Sequence, residues 1–428
     1  MQTNKANAEV NIFVDAVILG TGLSESIISM LLSEQKKKVL VVDTTNCYGS
    51  EFATLNYIEF VKLFNAQPNK LFVDISNQFN IDLIPKLLLM ESNLKNFFLE
   101  KQIDAMVTFA PIKGSYFYSD KLYTIPKNEA SSLKCKAIGF MQKTKIARFF
   151  YNLRNINKNQ YEFRDTMQDE FDFFGLDKLS IDFIGHGIAM YTDDKYLNEP
   201  PMKTYDRILK YIQSIVSYEN SESPFIYPHY GLSDICQAFV RKSACLGGEF
   251  MLNAKIKTIK TKNNLIQIYD SLGTLYNIKY TKLISNPSYF VSNTSIDCRP
   301  STIKKEIIRC IMICKKNNKF DGSRTITFSH TNFNRNNDVF GIVLGSNTMS
   351  CPKDYEVCIL STIKETSDPK KEIMPFIFKF DVINYYIDVR NTYENLSDSV
   401  IFTENVDESP LMDNIYDNVC ELMKTINL

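Results

Sequence analysis

The stretch Asp15–Leu32, DAVILGTGLSESIISMLL, constrains the fold of this chain more than any other. Residues 12–20 form a near-continuous apolar run, the pattern of a central strand buried on both faces. Gly20 and Gly22 then mark a tight turn. Beyond it Leu23, Ile27, Ile28, Leu31 and Leu32 fall on one helical face. A second buried strand, KVLVVD at 38–43, ends in Asp43, 23 residues past Gly20. The spacing predicts a βαβ unit of the dinucleotide-binding kind, with an acid near the ribose position. The third glycine of the Gly-x-Gly-x-x-Gly pattern is replaced by Glu25. At an effective dielectric of about 20, two like charges ~4 Å apart repel by roughly 4 kcal/mol, about a thousandfold in affinity. A pyrophosphate is therefore disfavoured where Glu25 stands, and the turn Gly20, Gly22, Glu25 and Asp43 is expected to be a retained scaffold with no cofactor.

Charge excludes other classes. Lysine plus arginine equals aspartate plus glutamate at 49 each, so no global field draws the chain to nucleic acid. Ten cysteines form no Cys-x-x-Cys pair and only three histidines occur, so no metal centre is expected and a reduced, cytoplasmic setting is. The N-terminal MQTNKANAEV has no apolar signal core, and no stretch approaches the ~18 apolar residues of a membrane span.

Along the 428 residues, 72–100 reads as helical, and 114–126 as a β patch turned at Ser119-Asp120. Residues 130–218 read mostly as helix, with apolar residues from Leu133 to Leu153 at spacings of three and four and Thr166 as an N-cap. After 219, strands return: a hairpin over 264–289 turned at 271–273, then RTITFSH, VFGIVLGS and YEVCILST. An amphipathic helix with Leu411, Ile415, Leu422 and Ile426 inward closes the chain. The fold expected is α/β (α+β): a large domain of 1–118 and 219–428 with a βαβ start and an added antiparallel sheet, and a small helical domain at 119–218.

Catalytic patterns are thin: no Gly-x-Ser-x-Gly, Walker loop or His-Glu-x-x-His occurs. His186, between apolar residues, reads as a buried structural histidine, and His229 has no assigned role. The densest candidate is SPFIYPHYGLSDICQAFVRKSACLGGEFMLN (223–253). Asp234, Gln237 and Arg241 stand at i, i+3 and i+7, on one helical face among Gly turns and tyrosines, a composition suited to protein binding. No enzyme activity is expected.

These blocks, with VILGTGLSES…KKVLVVD…CYGSE, NIDLIPKLLLM, GSYFYSDKLYTIP, GHGIAMYTDDKYL and NPSY, resemble the Rab GDP-dissociation inhibitor family, shared with Rab escort proteins. They run in the family's order from about residue 13 to about 390. The resemblance implies a flavoprotein-like large domain, a small helical domain, and binding of prenylated, GDP-bound Rab GTPases in place of catalysis. It implies a Glu at the sixth turn position, where Glu25 stands. The family's platform residues fall on Tyr48, Asp234 (usually Glu), Gln237, Arg241 and Met251. Glu249 stands where a threonine is usual and Thr44 where a basic residue is. The arginine of the loop before SPFIYP has no counterpart in 217–224. These departures bear on which Rabs are served.

The helical block is then expected to hold a geranylgeranyl chain, whose burial in a bilayer is worth on the order of 10–15 kcal/mol. Ile138, Met141, Phe149, Phe150, Phe171, Phe174, Phe183 and Ile188 are the expected lining, and Ile103 and Met106 the expected guide for the Rab C-terminus. The implied protein is a cytosolic monomer touching membranes transiently. Two rivals remain: an escort protein, expected to carry extra sequence not seen here, and a flavin-dependent amine oxidase, recognisable by flavin absorbance.

Overall fold

The computed structural model describes residues 9–126, 138–156, 161–217, 222–291, 296–297, 302–394 and 399–426. The apolar run becomes the strand Glu9–Leu19, and the amphipathic segment becomes the helix Leu23–Glu34. Val39–Val42 pairs parallel to the first strand, with Ala16 opposite Val39 and Leu19 opposite Val42. Gly20 has φ +110, a backbone that glycine adopts without cost, and its N–H donates to Val42 O at 2.8 Å to close the turn. The strands run Glu249–Met251, Val39–Val42, Glu9–Leu19, Leu275–Ser285, Leu265–Tyr269 and Lys255–Lys260. Ile401–Phe402 adds a seventh, parallel to Ile284–Ser285. The hairpin expected at 271–273 is present, but its second arm is one strand of 11 residues reaching Ser285.

A second seven-stranded sheet runs Val382–Glu394, Thr302–Lys315, Tyr355–Ile363, Val339–Leu344, Arg324–Phe328, Ser115–Tyr118 and Leu122–Thr124. All its pairs are antiparallel except Arg324–Phe328 with Ser115–Tyr118. Its two longest strands, Thr302–Lys315 and Val382–Glu394, are absent from the sequence reading. The hairpin 115–124 belongs wholly to this sheet, so a boundary at 118/119 cuts through it.

Region 72–100 differs from its helical expectation. It holds α-helix at its ends (Lys70–Val73 and Asn93–Glu100) and a single 3-10 turn at Ser76–Gln78, with the short strands Ile81–Asp82 and Leu88–Leu89 between. Those strands pair with Thr54–Leu55 and with Phe225–Ile226. Pro85 cannot donate within a helix, and the partners lie far away in sequence.

The helices Phe140–Asn155, Met167–Phe173, Lys178–Asp182 and Pro201–Val216 form the helical segment, with a π-helical stretch at Phe183–Ile188. Thr166 caps as expected, accepting from Asp169 N–H at 3.1 Å. Residues 130–137, the expected start of this block, lie outside the described residues.

Candidate functional site

At the glycine turn, Glu25 is only 3% exposed and folds back over the loop that precedes its helix. A Cβ on Gly22 would stand 2.6 Å from Glu25 Oε2, so the carboxylate fills the space beside the turn. Its Oε1 accepts from the Thr403 hydroxyl at 2.5 Å. Thr403 follows Ile401–Phe402 and is placed by that strand's addition to the sheet. Burial pushes the Glu25 carboxyl up to about 7, against the lowering effect of the Thr403 bond, with Glu51 and Asp43 adding repulsion.

Asp43 is also closed inward. Its Oδ2 accepts from Thr21 Oγ1 at 2.6 Å and Ser50 Oγ at 2.8 Å, and its Oδ1 from Thr45 N–H at 2.9 Å and Thr45 Oγ1 at 2.8 Å. Ser50 Oγ accepts the Thr21 N–H at 2.9 Å. The donor and acid that would meet a phosphate and a ribose are thus held by the chain's own hydroxyls. Beyond the turn, a crevice of about 860 Å³ stays open, lined by Thr44, Lys255, Tyr289, Arg309 and Arg390 among others. The residues at the turn do not fit a pyrophosphate, because a buried acid and its threonine occupy the position and an anion would face Glu25 at close range.

Beside the βαβ unit lies an outward-facing set. The helix Ser233–Cys245 packs on Leu23–Glu34, with Ser29 Oγ 2.6 Å from Ser243 Oγ. This burial of one face leaves Gln237 and Arg241 exposed on the other, with Asp234 half-buried and its carboxyl raised by desolvation. The chain then turns at Gly247-Gly248 into the edge strand Glu249–Met251, beside Val39–Val42. Glu249 is exposed, Met251 half-buried, and the Tyr48 ring packs edge-on against Phe250 at 6.1 Å. Sequence spacing placed Asp234, Gln237 and Arg241 on one helix; the edge strand brings Tyr48 beside Glu249–Met251.

Asp82 anchors the start of this helix, and no short motif revealed it. Fully buried, it accepts from Thr54 Oγ1 at 2.5 Å, Tyr227 OH at 2.5 Å and Leu232 N–H at 2.9 Å. Thr54 Oγ1 in turn accepts the Ser233 N–H at 3.1 Å. Burial raises the Asp82 carboxyl to about 6.

The expected lipid lining is divided. Phe149 is fully buried, with ring centroids 5.5 Å from Phe150 and Phe171, 5.3 Å from Phe174 and 5.6 Å from Tyr205. Phe171 and Phe174 are buried with it, and Phe150 is half-buried. Phe183 packs edge-on against Phe117 at 5.7 Å, and it and Ile188 belong to the π-helical stretch beside the second sheet. Ile138 is half-buried, while Met141 and its neighbour Phe140 are 76% and 81% exposed. Ile103 is fully buried and offers no surface to a peptide; Met106 is 39% exposed.

His186 is buried and hydrogen-bonded, as expected, but its partners form a closed ring that the sequence did not suggest. His186 Nε2 lies 3.0 Å from Asp194 Oδ1, and His186 Nδ1 lies 2.8 Å from Asp338 Oδ2 and 3.0 Å from Tyr191 O. His330 Nδ1 lies 2.7 Å from Asp338 Oδ1, and its Nε2 3.2 Å from Asp194 Oδ2. Both nitrogens of both rings face oxygens and act as donors, the state of an imidazolium. Despite burial, which opposes charge, the carboxylates hold His186 well above the usual histidine range and His330 at about 9. The ligand atoms of His186, His330 and Asp338 lie within 4.8 Å of one another, as do those of Asp182, His186 and Asp194. The cluster is a set of ion pairs joining the 182–194 segment to the second sheet.

Among the described residues, no helix is long and apolar enough to cross a membrane. The family model of the GDP dissociation inhibitors matches residues 10–427. The probable secretory pathway GDP dissociation inhibitor 1 of Schizosaccharomyces pombe is 33% identical over 399 residues, covering 90% of this chain and 88% of its own. The Rab GDP-dissociation inhibitor of Saccharomyces cerevisiae is 28% identical over 431 residues, covering 95% and 93%. The crystal structure of Rab GDI from Plasmodium falciparum superposes with a TM-score of 0.85 at 26% identity, covering 97% and 98%. An oxidoreductase of Methanosarcina mazei shares the fold alone, with a TM-score of 0.61 at 13% identity over 96% of this chain and 100% of its own. With a match along nearly its whole length, this chain belongs to the GDP dissociation inhibitor family.

Proposed function

We propose that this chain binds a prenylated, GDP-bound Rab GTPase, slows its GDP release and lifts it from membranes into the cytosol. Tyr48, Asp234, Gln237, Arg241, Glu249 and Met251 form the docking face. The single observation that carries this reading is the inversion at the βαβ unit. Its glycine turn is closed by Glu25 and Thr403, while the helix packed behind it presents Gln237 and Arg241 outward. Preference for GDP over GTP is then a difference in affinity for two Rab conformations. The closed turn also argues against a flavin-dependent oxidase.

The lipid is proposed to enter the helical segment. Because Phe171 and Phe174 are buried against Phe149, entry of a twenty-carbon chain is proposed to part the helices. Ile138, Phe140 and Met141, half-buried or exposed at the start of Phe140–Asn155, are where that parting begins. Extraction of prenylated Rab from liposomes, in GDP and GTP forms, tests the whole reading. The GDP form is expected in solution and the GTP form on the membrane; extraction of neither defeats the proposal. Ile138→Asp is expected to spare binding of unprenylated Rab and abolish extraction. Equal loss of both would remove the lipid site from the helical segment.

A further inference from the structure

Two bulky side chains leave the surface on backbone that bulky residues avoid. Tyr230 has φ +67 and is 54% exposed; Met349 has φ +55 and is 46% exposed. Left-handed backbone is unfavourable for side chains of this size, and where one persists, the surroundings enforce it.

Here the enforcement is visible. Tyr230 N–H donates to Thr348 O at 3.2 Å, tying the two turns together. Asn80 holds the second turn from the other side, with its N–H on Ser350 O at 2.9 Å and its Nδ2 on Met349 O at 2.6 Å. Beneath Tyr230 stands Asp82 with its three donors. Gly231, at φ +106, sits so close that a Cβ there would collide with Thr54 and Asp82. The loop cannot turn the Tyr230 ring inward. The ring is more exposed than buried, and among the described residues its aromatic neighbour is His229, 6.4 Å away.

We propose that Tyr230 and Met349 form one docking patch, held outward by the Asp82 lock, which extends the face of Ser233–Cys245 onto the second sheet and contacts the same GDP-bound GTPase. This rests on the Rab-binding reading above. Continuity argues for that occupant: the helix bearing Asp234, Gln237 and Arg241 begins three residues after Tyr230. Composition argues for a protein surface, since tyrosine and methionine are enriched at interfaces, and tyrosine among the residues that dominate their energy. Asp82 is a positioning residue; it is buried and touches no partner.

The test uses the full chain and an unprenylated, GDP-loaded Rab GTPase, with affinity read by titration calorimetry and stability by thermal unfolding. Tyr230→Gly and Met349→Gly are each expected to weaken binding about tenfold. Their unfolding midpoints are expected to hold or rise, because glycine relieves the left-handed backbone. Tyr230→Phe keeps the ring and is expected to bind within about twofold of the parent. Full affinity in both glycine variants, with Arg241→Ala weakened, overturns the patch and leaves the platform standing. Full affinity in Arg241→Ala as well overturns both. Weakened binding accompanied by a fall in the midpoint assigns the residues to folding and also overturns the patch. If the glycine variants lose self-association in sedimentation but keep GTPase affinity, the occupant is a second copy of the chain and the proposal fails.

Discussion

The glycine turn and the helix Ser233–Cys245, which packs on the helix that follows the turn, come from stretches of chain about 200 residues apart, yet lie side by side and treat polar groups in opposite ways. At the turn, Glu25, Asp43, Thr21, Ser50 and Thr403 are spent on one another, and a buried acid fills the space beside the turn while the crevice beyond it stays open. On the helix, Gln237 and Arg241 are left to solvent, with Gln237 making a side-chain bond only within its own helix, to Ser233 at 3.2 Å. A nucleotide site needs the reverse: open donors at the turn and a covered helix. The contrast is the physical ground for placing the proposed docking face on the helix and not at the turn.

Four substitutions or conditions sharpen or break that contrast. The largest effect is expected in the helical segment, where Phe149→Ala should cost about 3–5 kcal/mol in urea unfolding, because four aromatic neighbours lose their packing partner. A loss below about 1 kcal/mol would mean that these helices part without much resistance, and the lipid would need no special ingress.

Next comes Glu25→Gln. A carboxyl raised from 4.5 to about 7 costs the fold nothing below about pH 4.5 and its full penalty above about pH 7. Glutamine carries no charge at any pH, so the variant should gain up to about 3 kcal/mol at pH 8 and almost nothing at pH 4.5. Equal stability change at both pH values would show that the acid is not ionised against its surroundings, and the closed turn would lose its electrostatic argument.

Arg241→Ala is expected to weaken Rab·GDP binding by about 2 kcal/mol without moving the unfolding midpoint, since the side chain is exposed. Unchanged affinity would take the helix face out of the interface.

The smallest effect concerns the His186–Asp194–His330–Asp338 ring. Histidines held above their ordinary range stabilise the fold fully below about pH 6.5, and that stability fades as pH rises through about 9 for His330. Both aspartates are lowered, so their share fades only in acid, below the ordinary carboxylate range. Unfolding midpoints measured from pH 6.5 to 9.5 should fall, and His330→Asn should flatten the slope by on the order of 1 kcal/mol. A slope that survives the substitution assigns the pH dependence elsewhere.

Local pattern made part of this legible. The apolar run, the two glycines and the 3.6-residue spacing after them dictate strand, turn and helix, and the observed Glu9–Leu19, Leu23–Glu34 and Val39–Val42 follow them closely. The helix Ser233–Cys245 was legible for the same reason, and with it the shared face of Asp234, Gln237 and Arg241. Other features were not local. The run IDLIPKLLLM has apolar spacing that suits a helix, but its strands exist only because Thr54–Leu55 and Phe225–Ile226 arrive to pair with them. Phe149, Phe171 and Phe174 are buried, and apolar spacing by itself cannot distinguish a core from a cavity wall.

The sequence by itself determined the βαβ start, the charge at the sixth position of the turn, and one helix face rich in polar side chains, because each is written within a few turns of chain. Only the tertiary structure decided what closes on Glu25, since Thr403 reaches it from 378 residues away. It also decided that two histidines and two aspartates meet in a ring, and that Asp82 gathers Thr54, Tyr227 and Leu232 at the turn of Tyr230. Those outcomes depend on strand register and packing between distant segments, where a contact is fixed by the whole fold and leaves no local trace.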